Sequence, residues 1–129
     1  MPVRILLVDD EPLLRRAFRM LLEVSGYDVS EAGSAQEALD RALSDSPALV
    51  FLDLGLPDRS GLDIARELAG PDGGTVVVAL TGRSDAEIGQ ACRDAGWAGH
   101  LTKPVNPRAL LDGVPVWLAA TGDPPGSPE

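Results

Sequence analysis

Residues 48–58 read Ala48-Leu49-Val50-Phe51-Leu52-Asp53-Leu54-Gly55-Leu56-Pro57-Asp58. An unbroken apolar run ends in an acid, and a stretch carrying Gly55 and Pro57 follows. The run is too brief for a helix and too continuously apolar for a strand with one wet face. A parallel strand buried on both faces has this pattern. Val3–Val8 and Thr75–Leu80 share it. The shorter, weaker runs Asp28–Glu31 and Gly99–Thr102 read as strands nearer an edge.

Helical periodicity fills the intervals. Leu13, Leu14, Ala17, Phe18, Leu21 and Leu22 mark one apolar stripe, with Gly26 as its C-terminal stop. Ser34 and Glu37 have the spacing of a capping box, which opens a helix through Leu43. Ser60 or Gly61 opens a helix to Leu68, and Ser84 with Glu87 opens one toward Ala95. Asn106-Pro107 starts the last helix, which Pro115 is expected to kink or to interrupt near Gly113. Strand and helix therefore alternate five times. That order implies an α/β fold, a doubly wound parallel sheet with right-handed crossovers and helices on both faces.

At 129 residues the chain suits one domain, and 44% hydrophobic residues suffice to fill its core. The domain is expected over residues 1–120. Residues 121–129, rich in Pro and Gly, read as a disordered tail or linker stump. The formal net charge of −9 argues against nucleic acid as a partner. No apolar run is long enough for a membrane span, and the N-terminus lacks the layout of a signal peptide. The single Cys92 forms no internal disulfide and fits a reducing, cytoplasmic setting, as a half-buried structural thiol.

In an open parallel sheet, ligands bind beyond the carboxyl ends of the strands. Asp9-Asp10-Glu11 follow the first run, Asp53 the third, Thr81 the fourth and Lys103 the fifth. Carboxylates, a hydroxyl and an ammonium are thus delivered to one end of one sheet. Acids held together repel one another and raise their own pKa values. A hard divalent cation relieves that repulsion, and oxygen ligands favour Mg²⁺. A carboxylate is also a competent covalent phosphoryl acceptor, with Lys103 and Thr81 suited to neutralise the phosphoryl oxygens. Any one of these residues alone would be an ordinary turn residue; the whole set in register is specific.

Leu7-Val8-Asp9-Asp10-Glu11, Asp53 through Gly61, Ala79-Leu80-Thr81-Gly82 and His100-Leu101-Thr102-Lys103-Pro104 together resemble the receiver domains of two-component response regulators. The resemblance spans Val3 to about Leu118. It implies a flavodoxin-like five-stranded sheet of order 2-1-3-4-5, with Asp53 as phosphoacceptor. The donor would be a phosphohistidine on a histidine kinase or histidine phosphotransfer protein. Mg²⁺ would be held by the Asp10 and Asp53 side chains and the Gly55 carbonyl, with Asp9 acting through water. Lys103 would contact the phosphoryl group, Thr81 would move toward it, and Lys103–Pro104 would be a cis peptide. Such a module is a phosphorylation-controlled binding protein rather than an enzyme. It stands either as a single-domain regulator or as the receiver of a hybrid kinase.

Several positions depart from the family pattern. His100 replaces the usual Tyr or Phe at the switch position, and reads either as a pH-sensitive rotamer switch or as a plain surface imidazole. Gly55 offers no side chain to orient an attacking water, which implies slow self-hydrolysis of the acyl phosphate. Arg83 either reaches over the site or lies in solvent. Trp117 is expected to pack on the sheet; Trp97 reads either as packed there too or, as the better candidate of the two, as a partner contact. A haloacid-dehalogenase-like phosphatase is the alternative, since it too uses an Asp nucleophile with a Thr and a Lys. That family has a second Asp two residues after its nucleophile, which Asp9 lacks. A phosphate-cradling loop ending in Lys-Ser/Thr is absent, which argues against a nucleoside triphosphatase.

Overall fold

The computed structural model describes residues 2–60, 64, 67–68, 75–82, 90, 94 and 97–119. Five strands, β1 (Arg4–Val8), β2 (Asp28–Ala32), β3 (Leu49–Asp53), β4 (Val76–Thr81) and β5 (Gly99–Thr102), form one parallel sheet. Their order is β2-β1-β3-β4-β5, as the resemblance to receiver domains implies, and each strand lies within one residue of its expected bounds. Three helices are described throughout: α1 (Pro12–Val24), α2 (Ala35–Asp45) and α3 (Pro107–Ala119). Ile64, Glu67, Leu68, Gln90 and Asp94 are helical as well, inside the two remaining expected helices. Gly61, the Ser84–Glu87 cap, Arg83, Cys92 and residues 121–129 lie outside the described residues.

The period of two along each strand divides the core into two layers. Leu6, Val8, Val50, Leu52, Val77 and Ala79 face one side, where they meet Ala35 and Ala38 of α2 together with Ile64 and Leu68. Ile5, Leu7, Leu49, Phe51, Val78 and Leu80 face the other, where Phe18 and Leu22 of α1 and Leu110 and Val114 of α3 cover them. Full burial of each large apolar side chain is worth roughly 2 kcal/mol, so both faces of the sheet are held. This explains why the strands are apolar without alternation.

Local signals close the helices. Gly26 has a φ of 99°, in the left-handed region that favours glycine, and its N–H bonds the Glu23 carbonyl at 3.0 Å. Ser34 Oγ accepts the Glu37 N–H at 3.2 Å. The reciprocal arm of that cap is displaced by one residue, because Glu37 Oε1 accepts the Gly33 N–H at 2.8 Å. Asn106 Oδ1 accepts from Arg108 and Ala109, at 2.8 and 3.3 Å, and so caps α3. The Lys103–Pro104 peptide is cis.

Three sequence expectations are corrected. The α1 stripe divides: Phe18 and Leu22 are buried, whereas Leu13 is 80% exposed and Ala17 is also exposed. Adjacent residues lie about 100° apart around a helix, so the row of Leu13 and Ala17 and the row of Phe18 and Leu22 do not both face the sheet. Residues 107–119 form one continuous helix that contains Pro115, so the interruption expected near Gly113 does not occur. The burial of Leu110 and Val114 outweighs the hydrogen bond that the proline forfeits. Trp97, the candidate partner contact, is instead 2% exposed within the layer that holds Ile64, Leu68 and Val77. Trp117 does pack inward, with its ring edge-on to Phe51 at 5.6 Å and 78°.

Candidate functional site

Strand order brings the ends of β1, β3, β4 and β5 side by side, and with them the charged residues. Asp9, the residue after β1, is buried and held at several atoms. Its N–H donates to the Ala32 carbonyl at 3.1 Å, and its Oδ1 accepts the Glu11 N–H at 2.9 Å. Its own carbonyl accepts Arg15 Nη1 at 2.6 Å. Asp10 is exposed beside it. Asp53 ends β3 and is 4% exposed; its Oδ1 accepts the Gly55 N–H at 3.0 Å. The chain beyond it is tied to the sheet by Leu54 N–H to the Leu80 carbonyl, at 3.1 Å.

Lys103 closes the cluster. Its backbone N–H donates to the Thr81 carbonyl at 2.7 Å, which fixes the start of the β5–α3 turn against β4. Its Nζ lies 3.2 Å from Asp9 Oδ2, 3.3 Å from Asp53 Oδ2 and 4.0 Å from Glu11 Oε1. Thr81 is buried at the end of β4, between the strands that carry Asp53 and Lys103. His100 is half-buried on β5, in register with Ala79. Asp9, Asp10, Asp53, Thr81 and Lys103 therefore share one end of the sheet, with His100 set back within β5. A shallow groove lined by Glu11, Leu14, Lys103, Pro104 and Val105 opens beside them.

Electrostatics follow from this crowding. Burial pushes the Asp53 carboxyl above the ordinary aspartate range; the Gly55 amide and the Lys103 charge offset only part of that, and Asp9 adds to it. Burial acts to lower the Lys103 ammonium, but Asp53 and Asp9 outweigh it and hold it above the usual lysine value. Asp9, Asp10 and Asp53 each offer a carboxylate oxygen, all within 4.8 Å of one another. Asp9 Oδ2 is buried, and its close partner is the Lys103 ammonium at 3.2 Å. An oxygen-only donor set of three converging carboxylates fits a hard divalent cation such as Mg²⁺.

Sequence reasoning missed three residues that shape this region. Arg15 and Glu31 hold the acidic turn from behind through a 2.7 Å bond between Arg15 Nε and Glu31 Oε1. Asp58 binds the N-terminus of α2. The one available signal was Glu31, a charged residue near the end of a strand.

Similarity to known proteins agrees with the geometry. The family model described as the response regulator receiver domain matches residues 5–114. The chain is 36% identical over all 129 residues to response regulator MprA of Mycolicibacterium vanbaalenii, of which it covers 56%. It is 42% identical over 78% of its length to transcriptional regulatory protein KdpE of Mycobacterium tuberculosis, covering 44% of that protein. The chain thus spans about half the length of the curated relatives it matches. A CheY-like receiver domain protein from Methanospirillum hungatei superposes with a TM-score of 0.85 at 30% identity, over 92% of this chain and 95% of that one. These matches lend no support to a haloacid-dehalogenase-like phosphatase. With a sheet of this order and acids, threonine and lysine at its strand ends, the chain belongs to the response regulator receiver domain family.

Proposed function

We propose that Asp53 is phosphorylated by a phosphohistidine of a histidine kinase or histidine phosphotransfer protein, in a Mg²⁺-dependent reaction that alters a protein-binding surface. One observation carries this reading: Lys103 Nζ stands 3.3 Å from Asp53 Oδ2 and 3.2 Å from Asp9 Oδ2, beside three carboxylates whose oxygens lie within 4.8 Å of one another. An Asp53 oxygen forms the new O–P bond as the N–P bond of the donor breaks. The donor imidazole leaves with the bonding pair. Lys103 and the Thr81 hydroxyl take up the charge on the phosphoryl oxygens. Asp10, Asp53 and the Gly55 carbonyl would hold Mg²⁺, with Asp9 acting through water; the ion would neutralise charge as the phosphoryl group arrives.

The donor docks, in this reading, on α1 beside the groove. Leu13, Ala17, Met20 and Val24 follow one another at intervals of four, three and four residues, so they form a single seam. Leu13, Met20 and Val24 are 80%, 61% and 87% exposed. His100 at the switch position, a domain spanning residues 1–120 and a cytoplasmic setting belong to the same reading. Among the described residues no helix is long and apolar enough to cross a membrane.

Incubation with Mg²⁺ and acetyl phosphate tests it directly. Intact mass should rise by one phosphoryl unit in the native chain and not in Asp53→Ala. An unchanged native mass, or an equal gain in Asp53→Ala, overturns the assignment.

A further inference from the structure

We propose that Arg15, locked by Glu31, is the residue that positions the Asp9-Asp10-Glu11 turn for divalent-cation binding. This inference rests on the reading of the acid cluster as a Mg²⁺ site.

Arg15 lies on α1 and reaches back across its N-terminus. Its Nη1 donates to the Asp9 carbonyl at 2.6 Å while its Nε donates to Glu31 Oε1 at 2.7 Å. A planar guanidinium held at two points has little freedom to swing. Glu31 is itself fixed, because β2 pairs it with Leu7 and Arg19 Nη1 donates to its other oxygen at 2.9 Å. The next residue, Ala32, accepts the Asp9 N–H. Successive residues of β2 thus grip Asp9 from two sides, Ala32 directly and Glu31 through Arg15. Gly33 leaves the space this needs: a Cβ there would stand 3.1 Å from Arg15 Nη1.

The grip matters because Asp9, Asp10 and Asp53 repel one another when no cation is bound. Asp9 Oδ1 is already engaged by the Glu11 amide, so the direction of Oδ2 follows the backbone that Arg15 holds. Residues that orient a metal's ligands typically change its affinity 10- to 100-fold when removed. Arg19 supplies a control. It belongs to the same ionic network, pairing with Glu31 and Glu23, but makes no bond to Asp9.

Calorimetric titration of the full chain with MgCl₂ provides the test. Arg15→Met should weaken Mg²⁺ binding about 10-fold. Arg15→Lys should weaken it comparably, because one ammonium cannot span both acceptors. Arg19→Met, which touches Asp9 only through Glu31, should weaken binding far less than Arg15→Met. Glu31→Gln should weaken binding less than Arg15→Met, and the double variant Arg15→Met/Glu31→Gln should be no weaker than Arg15→Met alone. Should Arg15→Met fail to fold, Arg15→Lys and Glu31→Gln carry the same comparison. Wild-type affinity in the Arg15 variants, or an equal loss in Arg19→Met, overturns the positioning role while Mg²⁺ binding stands. No Mg²⁺ binding by the native chain overturns the metal reading and this inference together, and is seen before any variant is made.

Discussion

Asp58 caps Ala35: its Oδ1 accepts the Ala35 N–H at 2.8 Å, although the two residues belong to different βα units. Its Oδ2 accepts the Gln36 N–H at 3.0 Å, so the loop that leaves Asp53 is fastened to the start of α2. These two amides hold the Asp58 carboxyl below the ordinary aspartate range. Ser34 already caps α2 through the Glu37 amide, so the helix has two caps from two parts of the chain. Asp58→Ala should speed hydrogen exchange at Ala35 and Gln36 selectively, with a modest fall in the urea midpoint. Asp58→Asn, which keeps one acceptor oxygen, should restore part of the protection.

Glu31 should make stability depend on pH. Burial acts to raise its carboxyl, but hydrogen bonds from Arg19 and Arg15 outweigh it and hold the group below its ordinary value of 4.5. A depressed carboxyl is charged in the folded state where the unfolded chain already binds a proton. Its contribution is therefore complete above the ordinary glutamate range and is lost as pH falls through the lower, folded value. Glu31→Gln should cost roughly 1 kcal/mol at neutral pH, and the gap from the native chain should close on acidification. Urea melts from neutral pH downward read this; a gap that widened toward acid would contradict it.

Trp117 is pinned between two glycines and a ring. A Cβ on Gly99 would meet its Nε1 at 2.9 Å, and one on Gly113 would overlap the far edge of the indole. Phe51 blocks retreat. Alanine is the better helix former by about 1 kcal/mol, yet Gly113→Ala should destabilise the native chain by roughly 2 kcal/mol through overpacking. In a Trp117→Ala background the same change should be neutral or stabilising. This reversal of sign, measured by urea melts of the four proteins, separates packing from helix propensity.

Gly55 should set the lifetime of the phosphorylated form. A Cβ at this position would lie 3.7 Å from Asp53 Oδ1, an ordinary contact, so a side chain fits there without displacing the acceptor. Gly55→Asn would place an amide beside the acyl phosphate, able to orient an attacking water. Its phosphoryl group should decay several-fold faster than that of the native chain, followed by intact mass after the donor is removed. Equal lifetimes would remove Gly55 from the account.

The strands and the residues at their ends are legible in the sequence because each signal is local, whereas the strand order follows only from the resemblance to receiver domains. An unbroken apolar run announces a strand buried on both faces, and the residue after it must lie at the sheet's carboxyl edge. That is how Asp9, Asp53, Thr81 and Lys103 were found. Contacts between distant segments carry no such periodic mark. Leu13 and Leu14 are neighbours of equal hydrophobicity, and only the direction from which α1 meets the sheet exposes one and half-buries the other. Trp97 could not be placed until β5 was laid beside β4. Pro115 breaks a helix by local rules, and the packing of α3 overrides them. Asp58 on α2 and Arg15 between Glu31 and Asp9 join residues far apart in the chain, and depend on how helices and loops seat around the finished sheet. Period and capping act over a few residues, whereas side-chain partnership is settled by the packing of elements that meet only once the chain has folded.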